Sequence, residues 1–387
     1  MDWLYQKQLG FGCMRLPLRN PDDPTSFDYP AIEALFDAFL AAGGTYFDTA
    51  YVYHGGRGEE AVRRALVERH PRETFQLTTK LPLRAFQDAA GMEKLFREQL
   101  ERCGVEWFDG YLLHNMGRNV YQKCVDTDAF GFLRRKKAEG RILATGMSFH
   151  DTPELLEEIL ERYGDCLDFV QLQINYADWE QPAVQSRRCL EIARRYGKPV
   201  AVMEPCKGGA LINLPAEAAA LLRELEPGDS PARWAMRFAA SQDGVGLVLS
   251  GMNAMEQLTD NLGAFAPFRP LEPAERAAVE RAGQLVNADT AISCTACGYC
   301  LQGCPRRIPI PQYFALYNSA RRAAAGFASQ QVYYNNLSLA QGVGLASDCI
   351  ACRQCERACP QHLAIVDGLK TVYEVLEKDN PFRPAGA

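Results

Sequence analysis

The sequence predicts an α/β chain: a closed (β/α)8 TIM barrel over residues 1–285, then a small, mainly α-helical domain over 286–387. Three observations predict it. From about residue 9 to 263, eight β-rich runs alternate with helical patterns, which implies a parallel sheet covered by helices. Eight such units in some 260 residues suit a closed barrel. Beyond them the strand pattern stops, and one cysteine spacing occurs twice.

The strand runs are residues 9–14, 44–48, 75–80, 110–114, 142–147, 169–173, 199–203 and 245–249. Helical patterns between them cover 29–42, 58–69, 92–103, 152–163, 185–196 and 231–241. Pro153 and Pro231 stand at helix starts, where a missing N–H costs little. An open doubly wound sheet is the alternative, but no G-x-G-x-x-G follows the first strand, and Gly55-Gly56-Arg57-Gly58 reads as a turn. Asp48, Lys80, His114, Ser148 and Gln171 all fall at strand ends. In a β/α barrel those ends open on one face, which carries the active site.

A helix over 271–291, begun by Glu272-Pro273, leads out of the barrel. Cys294, Cys297, Cys300 and Cys304 precede Pro305, and Cys349, Cys352, Cys355 and Cys359 precede Pro360. Both runs read C-x2-C-x2-C-x3-C-P, the ligand pattern for two 4Fe–4S clusters. Three closely spaced thiolates wrap one cluster and the fourth reaches the other. The pattern therefore predicts one cluster on Cys294, Cys297, Cys300 and Cys359, and a second on Cys349, Cys352, Cys355 and Cys304. Zinc prefers two C-x2-C pairs, and a disulfide framework belongs to small secreted chains. Helical patterns from residue 310, over 331–340 and over 363–376 make this ferredoxin-like domain helical, unlike a compact β-hairpin ferredoxin. Six arginines and three carboxylates between Asp289 and His362 either offset the clusters' negative charge or form a solvated basic face.

Of 14 cysteines, the other six (Cys13, Cys103, Cys124, Cys166, Cys189 and Cys206) are expected as buried, reduced thiols. Net charge is −6, so bulk charge gives no reason to expect nucleic acid. The first residues lack the basic head and apolar run of a signal peptide, and no stretch is long and apolar enough to span a membrane. The expectation is a reducing cytoplasm, with oxygen-sensitive clusters.

The stretch Phe47-Asp48-Thr49-Ala50-Tyr51-Val52-Tyr53, then Lys80, then His114 in Tyr111-Leu112-Leu113-His114, resembles the aldo-keto reductases over residues 8–265. With its double cysteine run, the whole chain resembles their iron–sulfur-containing branch. The resemblance makes Asp48, Tyr53, Lys80 and His114 a catalytic tetrad. Tyr53 becomes the general acid of carbonyl reduction, its pKa lowered by the Lys80 ammonium. Asp48 anchors Lys80, and His114 orients the substrate. Ser148 and Gln171 correspond to holders of the nicotinamide amide. Met203 stands where a stacking aromatic is usual, and Phe149 where an asparagine follows the serine. Cys13, Met14 and Arg15 sit at the first strand end, and Asn253, Gln257, Asp260 and Asn261 at the adenine end. Gly251 and Gln257 replace the usual cations of the 2′-phosphate pocket, so NADH is as credible as NADPH. Set against the family, the usual N-terminal hairpin is expected to be shortened to a few residues.

Hydride moves two electrons and a cluster moves one, and no flavin site is identifiable. Three readings follow: a nicotinamide-dependent reductase of a small-molecule carbonyl with structural or tuning clusters; a redox enzyme exchanging electrons with ferredoxin or another carrier; and an electron-transfer or redox-sensing module on a non-catalytic barrel. Tyr51, Met116, Tyr176 and Trp179 are candidates for the substrate pocket or for packing.

Overall fold

The computed structural model describes residues 4, 6–288, 290–323, 329–340 and 342–383. Eight parallel strands close into a barrel in sequence order: β1 (Gln8–Gly12), β2 (Tyr46–Asp48), β3 (Gln76–Leu81), β4 (Phe108–Met116), β5 (Ile142–Phe149), β6 (Phe169–Gln173), β7 (Val200–Met203) and β8 (Val245–Ser250). β8 returns to pair with β1, Leu247 facing Gln8 and Ser250 facing Phe11. Tyr46, Leu112, Ala144, Phe169, Ala201, Leu247 and Leu249 pack together, with Leu4 joining them from the N-terminus. Gly10 makes room for that packing, since a Cβ there would lie 2.7 Å from Leu249.

Helices cover the barrel outside: α1 (Tyr29–Ala41), α2 (Gly58–Val62), α3 (Ala89–Cys103), α4 (Arg118–Asp126), α5 (Ala129–Ala138), α6 (Pro153–Tyr163), α7 (Ser186–Arg195), α8 (Ala216–Leu225), α9 (Pro231–Ala240), α10 (Met255–Phe265) and α11 (Pro273–Ala288). α2 continues as a π-turn over Arg63–Val67, so the pattern over 58–69 is one helix with a wider last turn. Their ends follow local chemistry. Asp88 caps α3 through Gly91 N–H at 2.8 Å, and Ser230 caps α9 through Arg233 N–H at 3.0 Å. Gly104, at φ 68°, ends α3 in the left-handed conformation. α11 packs along α8. No described helix is long and apolar enough to cross a membrane.

The described part of the C-terminal region is helical: α12 (Tyr299–Gln302), α13 (Ile310–Ala320), α14 (Ser329–Ser338), α15 (Gln354–Ala358) and α16 (Ile365–Val372). The cysteine repeat extends to the backbone around it. One offset of 55 residues relates Cys294 to Cys349, the start of α12 to that of α15, and the start of α13 to that of α16. Left-handed residues fall at the same places in both copies: Ala296 and Ala351, Gly298 and Arg353, Arg307 and His362. α14 then lies against the barrel. Ser329 Oγ donates to Gln173 Oε1 at 2.7 Å, and Asn336 Nδ2 donates to the His150 carbonyl at 2.5 Å. Ala183 and Val184, from the loop after β6, pack into the core of the helical domain.

Candidate active site and cysteine-lined cavities

β2, β3 and β4 end side by side, so their last polar residues meet at the mouth. Lys80 Nζ donates to Asp48 Oδ1 at 2.5 Å, to the Thr49 carbonyl at 2.7 Å and to Tyr53 Oη at 3.2 Å. Tyr53 reaches Lys80 because a short turn, Tyr53–Gly56, bends the chain back just after β2. The His114 ring stands edge-on to Tyr53, centroids 6.0 Å apart. Gln171 Nε2 donates to Asp48 Oδ2 at 3.2 Å, so both carboxylate oxygens are engaged. Ser148 faces Gln171 across the β5–β6 register, and its Oγ accepts the Asn115 N–H at 2.9 Å.

Burial sets the protonation of this group. It raises the Tyr53 phenol above its ordinary pKa; Lys80 pulls the other way and loses. The lowered phenol pKa expected from the sequence is therefore not what the resting site holds. Burial also works against the Lys80 ammonium, but Asp48 and Tyr53 outweigh it and hold Lys80 above its usual value. His114 is pushed well down by burial and then by the Lys80 charge, so it is a neutral imidazole.

Two small cavities lie in the helical domain. Cys294, Cys297, Cys300 and Cys359 line one, and Cys304, Cys349, Cys352 and Cys355 line the other. The fourth cysteine of each run thus crosses to the other run's cavity. Among the described residues no three Cys, His, Asp or Glu converge as they would on a single ion. Thiols spread around a cavity wall suit a cuboidal cluster better than zinc. The matched left-handed residues give the two cysteine loops the same backbone turns. α12 packs on α15, so the two cavities adjoin.

A family model described as Aldo/keto reductase family matches residues 8–283, which is most of the chain. The chain belongs to the aldo/keto reductase family. A second family model, a 4Fe-4S dicluster domain, matches residues 281–364. Among solved structures, an aldo-keto reductase of Bacillus halodurans in its holo form is 25% identical. That match covers 71% of this chain and 91% of the other, with a TM-score of 0.58. An aldo-keto reductase of Klebsiella pneumoniae in complex with NADPH is 22% identical, covers 70% and 89%, and has a TM-score of 0.57. Comparison with curated proteins gave no significant match.

In this aldo-keto reductase the remaining expected site residues divide into groups. Met203 ends β7, half-buried. Asn261 Nδ2 donates to Ser250 Oγ at 2.8 Å, and Gln257 Oε1 accepts the Asn253 N–H at 2.9 Å. Asp260 is held by Ser230 and by Arg233 Nε at 3.3 Å. These four cluster after β8, away from the tetrad. Cys13 is fully buried, whereas Met14 is exposed. The Arg15 side chain lies against Gly251, where a Cβ would meet its Cδ at 3.2 Å. An arginine from the turn after β1 thus lies beside position 251. Of the six scattered cysteines, Cys166 and Cys206 are half-buried and the rest buried. Tyr51 packs under Arg102 against α3, and Tyr176 and Trp179 pack edge-on to Phe238 of α9. Each of those three makes a packing contact, while Met116 is buried at the end of β4.

Six mouth residues were not anticipated from the sequence. Asp178 and Lys207 form a fully buried ion pair, and Gln173 and Asn175 both donate to Asp178 Oδ2 at 2.7 Å. Glu204 accepts the Gly208 N–H at 2.8 Å, and burial pushes its carboxyl up. His150 is pushed down to about 4, by burial first and the Lys80 charge second. Their signal was present: Glu204 and His150 each stand one residue beyond a strand.

His150 has a consequence for stability. Between its ordinary pKa of 6.5 and about 4, the unfolded chain binds a proton that the native one does not. Stability therefore falls as pH drops through that window, by about 2 kcal/mol at pH 5 from this residue alone. Melting temperatures at pH 7 and pH 5 should differ less in His150→Phe than in the unaltered protein; equal differences would refute this.

Proposed function

We propose that the chain reduces a small-molecule carbonyl at the expense of a nicotinamide cofactor, with Tyr53 as the general acid, on a barrel dividing from the cluster domain near residue 285. The observation that carries this reading is Lys80 Nζ bridging Asp48 and Tyr53 at the barrel mouth. The mouth also fits a nicotinamide carboxamide. Gln171 spends its N–H on Asp48 and keeps its carbonyl oxygen for an incoming amide donor, while Ser148 accepts from Asn115 and keeps its hydroxyl proton to give. Arg15, Asn253, Gln257, Asp260 and Asn261 would hold the remainder. When bound, the reduced cofactor supplies hydride.

The chain's own residues manage the proton. Burial keeps the Tyr53 phenol protonated at rest. As negative charge builds on the substrate oxygen, Tyr53 Oη delivers its proton there. The phenolate left behind faces the Lys80 ammonium, which Asp48 holds in place. Neutral His114 donates a hydrogen bond to the same oxygen and sets its direction. General acid catalysis of this kind contributes about 10²–10⁴ in rate. Replacing Tyr53 by phenylalanine, with carbonyl turnover as readout, tests the reading.

The eight cysteines would hold two 4Fe–4S clusters, Cys294, Cys297, Cys300 and Cys359 one, and Cys304, Cys349, Cys352 and Cys355 the other. Such clusters supply one-electron transfer or structural support. A second reading, ferredoxin-linked electron transfer, is favoured by the surface around the cavities. Tyr299, Leu301 and Ile350, three of the exposed large apolar side chains, flank the cysteines and suit docking of a redox carrier.

A further inference from the structure

We infer that the two cysteine-lined sites are electrically inequivalent: Arg306 and Arg353 stabilise an added electron on the cluster held by Cys304, Cys349, Cys352 and Cys355, so that the first electron entering the domain comes to rest there. The inference rests on the reading of the eight cysteines as ligands of two 4Fe–4S clusters and adds to it which cluster is the acceptor.

The duplication supplies its own control. All but Pro305 of the residues lining this cavity have their counterpart, 55 positions away, in the lining of the other. Three of these pairs differ in kind. Arg306 corresponds to Gln361, Arg353 to Gly298 and Ile350 to Thr295. The other pairs match cysteine with cysteine or apolar with apolar. Two guanidinium groups therefore border one cavity, and no charged residue borders the other.

Local structure does not call for either arginine. Arg353 stands at φ 56°, in a left-handed turn that Gly298 takes in the other copy at φ 79° without a side chain to strain it. Its guanidinium lies 3.5 Å from Glu356, but its side chain is 65% exposed, and a pair in that setting is worth little. Arg306 is exposed and makes no ion pair or side-chain hydrogen bond among the described residues. Other charges stand near. Glu356 Oε1 accepts the Val366 N–H at 3.0 Å, and Asp348 Oδ2 accepts the Leu345 N–H at 2.8 Å. Arg307 and Arg357 are exposed. None of these four borders either cavity, so the nearest charges are the two positive ones.

An electron added to a thiolate-bound cluster deepens its negative charge, and the charge around a cluster helps to set its potential. A fixed cation favours the reduced form. Ile350 works the other way, since it brings no hydroxyl dipole where Thr295 does. A full charge outweighs one such dipole, and Ile350 is 55% exposed and does not dry its site.

The test uses the full chain purified anaerobically with its iron. It is reduced stepwise by titanium(III) citrate, in which Ti(III) gives up one electron and becomes Ti(IV), and followed by electron paramagnetic resonance at fixed potentials. Two midpoint potentials are expected, apart by about tenfold or more in equilibrium constant, which is about 59 mV. Arg306→Gln combined with Arg353→Gly copies the other cavity and should lower the upper potential and close the gap. Gln361→Arg combined with Gly298→Arg should raise the lower one; a Cβ on Gly298 meets Leu301 Cδ1 at an ordinary 3.7 Å. In about 1 M salt the gap should narrow, since screening weakens a charge effect and leaves a change of shape alone. Iron content reports whether both clusters are kept; should the double arginine variant lose iron, Arg306→Gln alone decides. Coincident potentials in the unaltered protein, a gap that the arginine variants leave unchanged or widen, or clusters that stay oxidised overturn the inference alone. Protein without iron overturns the cluster reading with it.

Discussion

Tyr53→Phe is expected to lower kcat for carbonyl reduction about 10²–10⁴-fold, with cofactor binding little changed. Its hydroxyl is the group the tetrad is arranged around. Lys80 spends one hydrogen bond on it, and Asp48 pairs with Lys80 in the barrel interior. Burial has already raised the phenol's pKa, so without a positive neighbour its proton would be held too tightly to give up. Phenylalanine keeps the ring against His114 and removes only the proton source. Folding should survive, and cofactor titration by fluorescence separates lost chemistry from lost binding. Turnover retained within a few-fold would take the general-acid role away from Tyr53.

The second large effect is on iron. Cys359→Ala is expected to remove the cluster of the cavity lined by Cys294, Cys297 and Cys300, although Cys359 belongs to the later run. Anaerobically purified protein should hold ~8 iron atoms per chain, and this variant ~4. Paired substitutions discriminate further. Cys294→Ala with Cys359→Ala strikes one cavity and should still leave ~4, whereas Cys349→Ala with Cys359→Ala strikes both and should leave almost none. If each run instead supplied a whole cluster, the two double variants would exchange outcomes. Loss of all iron in every variant would mean that the clusters assemble only together.

Much of this was legible because parallel strands buried on both faces read as short apolar runs. All eight fall where the pattern puts them, though β4 extends further, from Phe108 to Met116. α4, α5, α8 and α10 did not stand out. α8 buries only Ala218 and Leu222, and α4 only Val120, Tyr121 and Cys124, too few to mark a face. The crossed lining of the two cavities follows the spacing, in which a three-residue step followed by proline turns the fourth thiol away. The protonation of Tyr53 was not legible, since desolvation depends on what the fold packs around it. Nor was the docking of α14. Gln330, Gln331, Asn335 and Asn336 give that segment a polar look all round, and their burial follows from the barrel against which the helix lies.

The barrel and the adjoining cavities pose one question: whether electrons reach the carbonyl as hydride at the mouth or singly from the helical domain. The most direct measurement is the fate of deuterium. Reduced nicotinamide labelled at its transferable position is mixed anaerobically with the protein and a carbonyl substrate in ordinary water. Deuterium recovered on the carbinol carbon, on one face only, is the predicted result. Product carrying solvent hydrogen at that carbon would contradict direct hydride transfer and move the chemistry to the clusters.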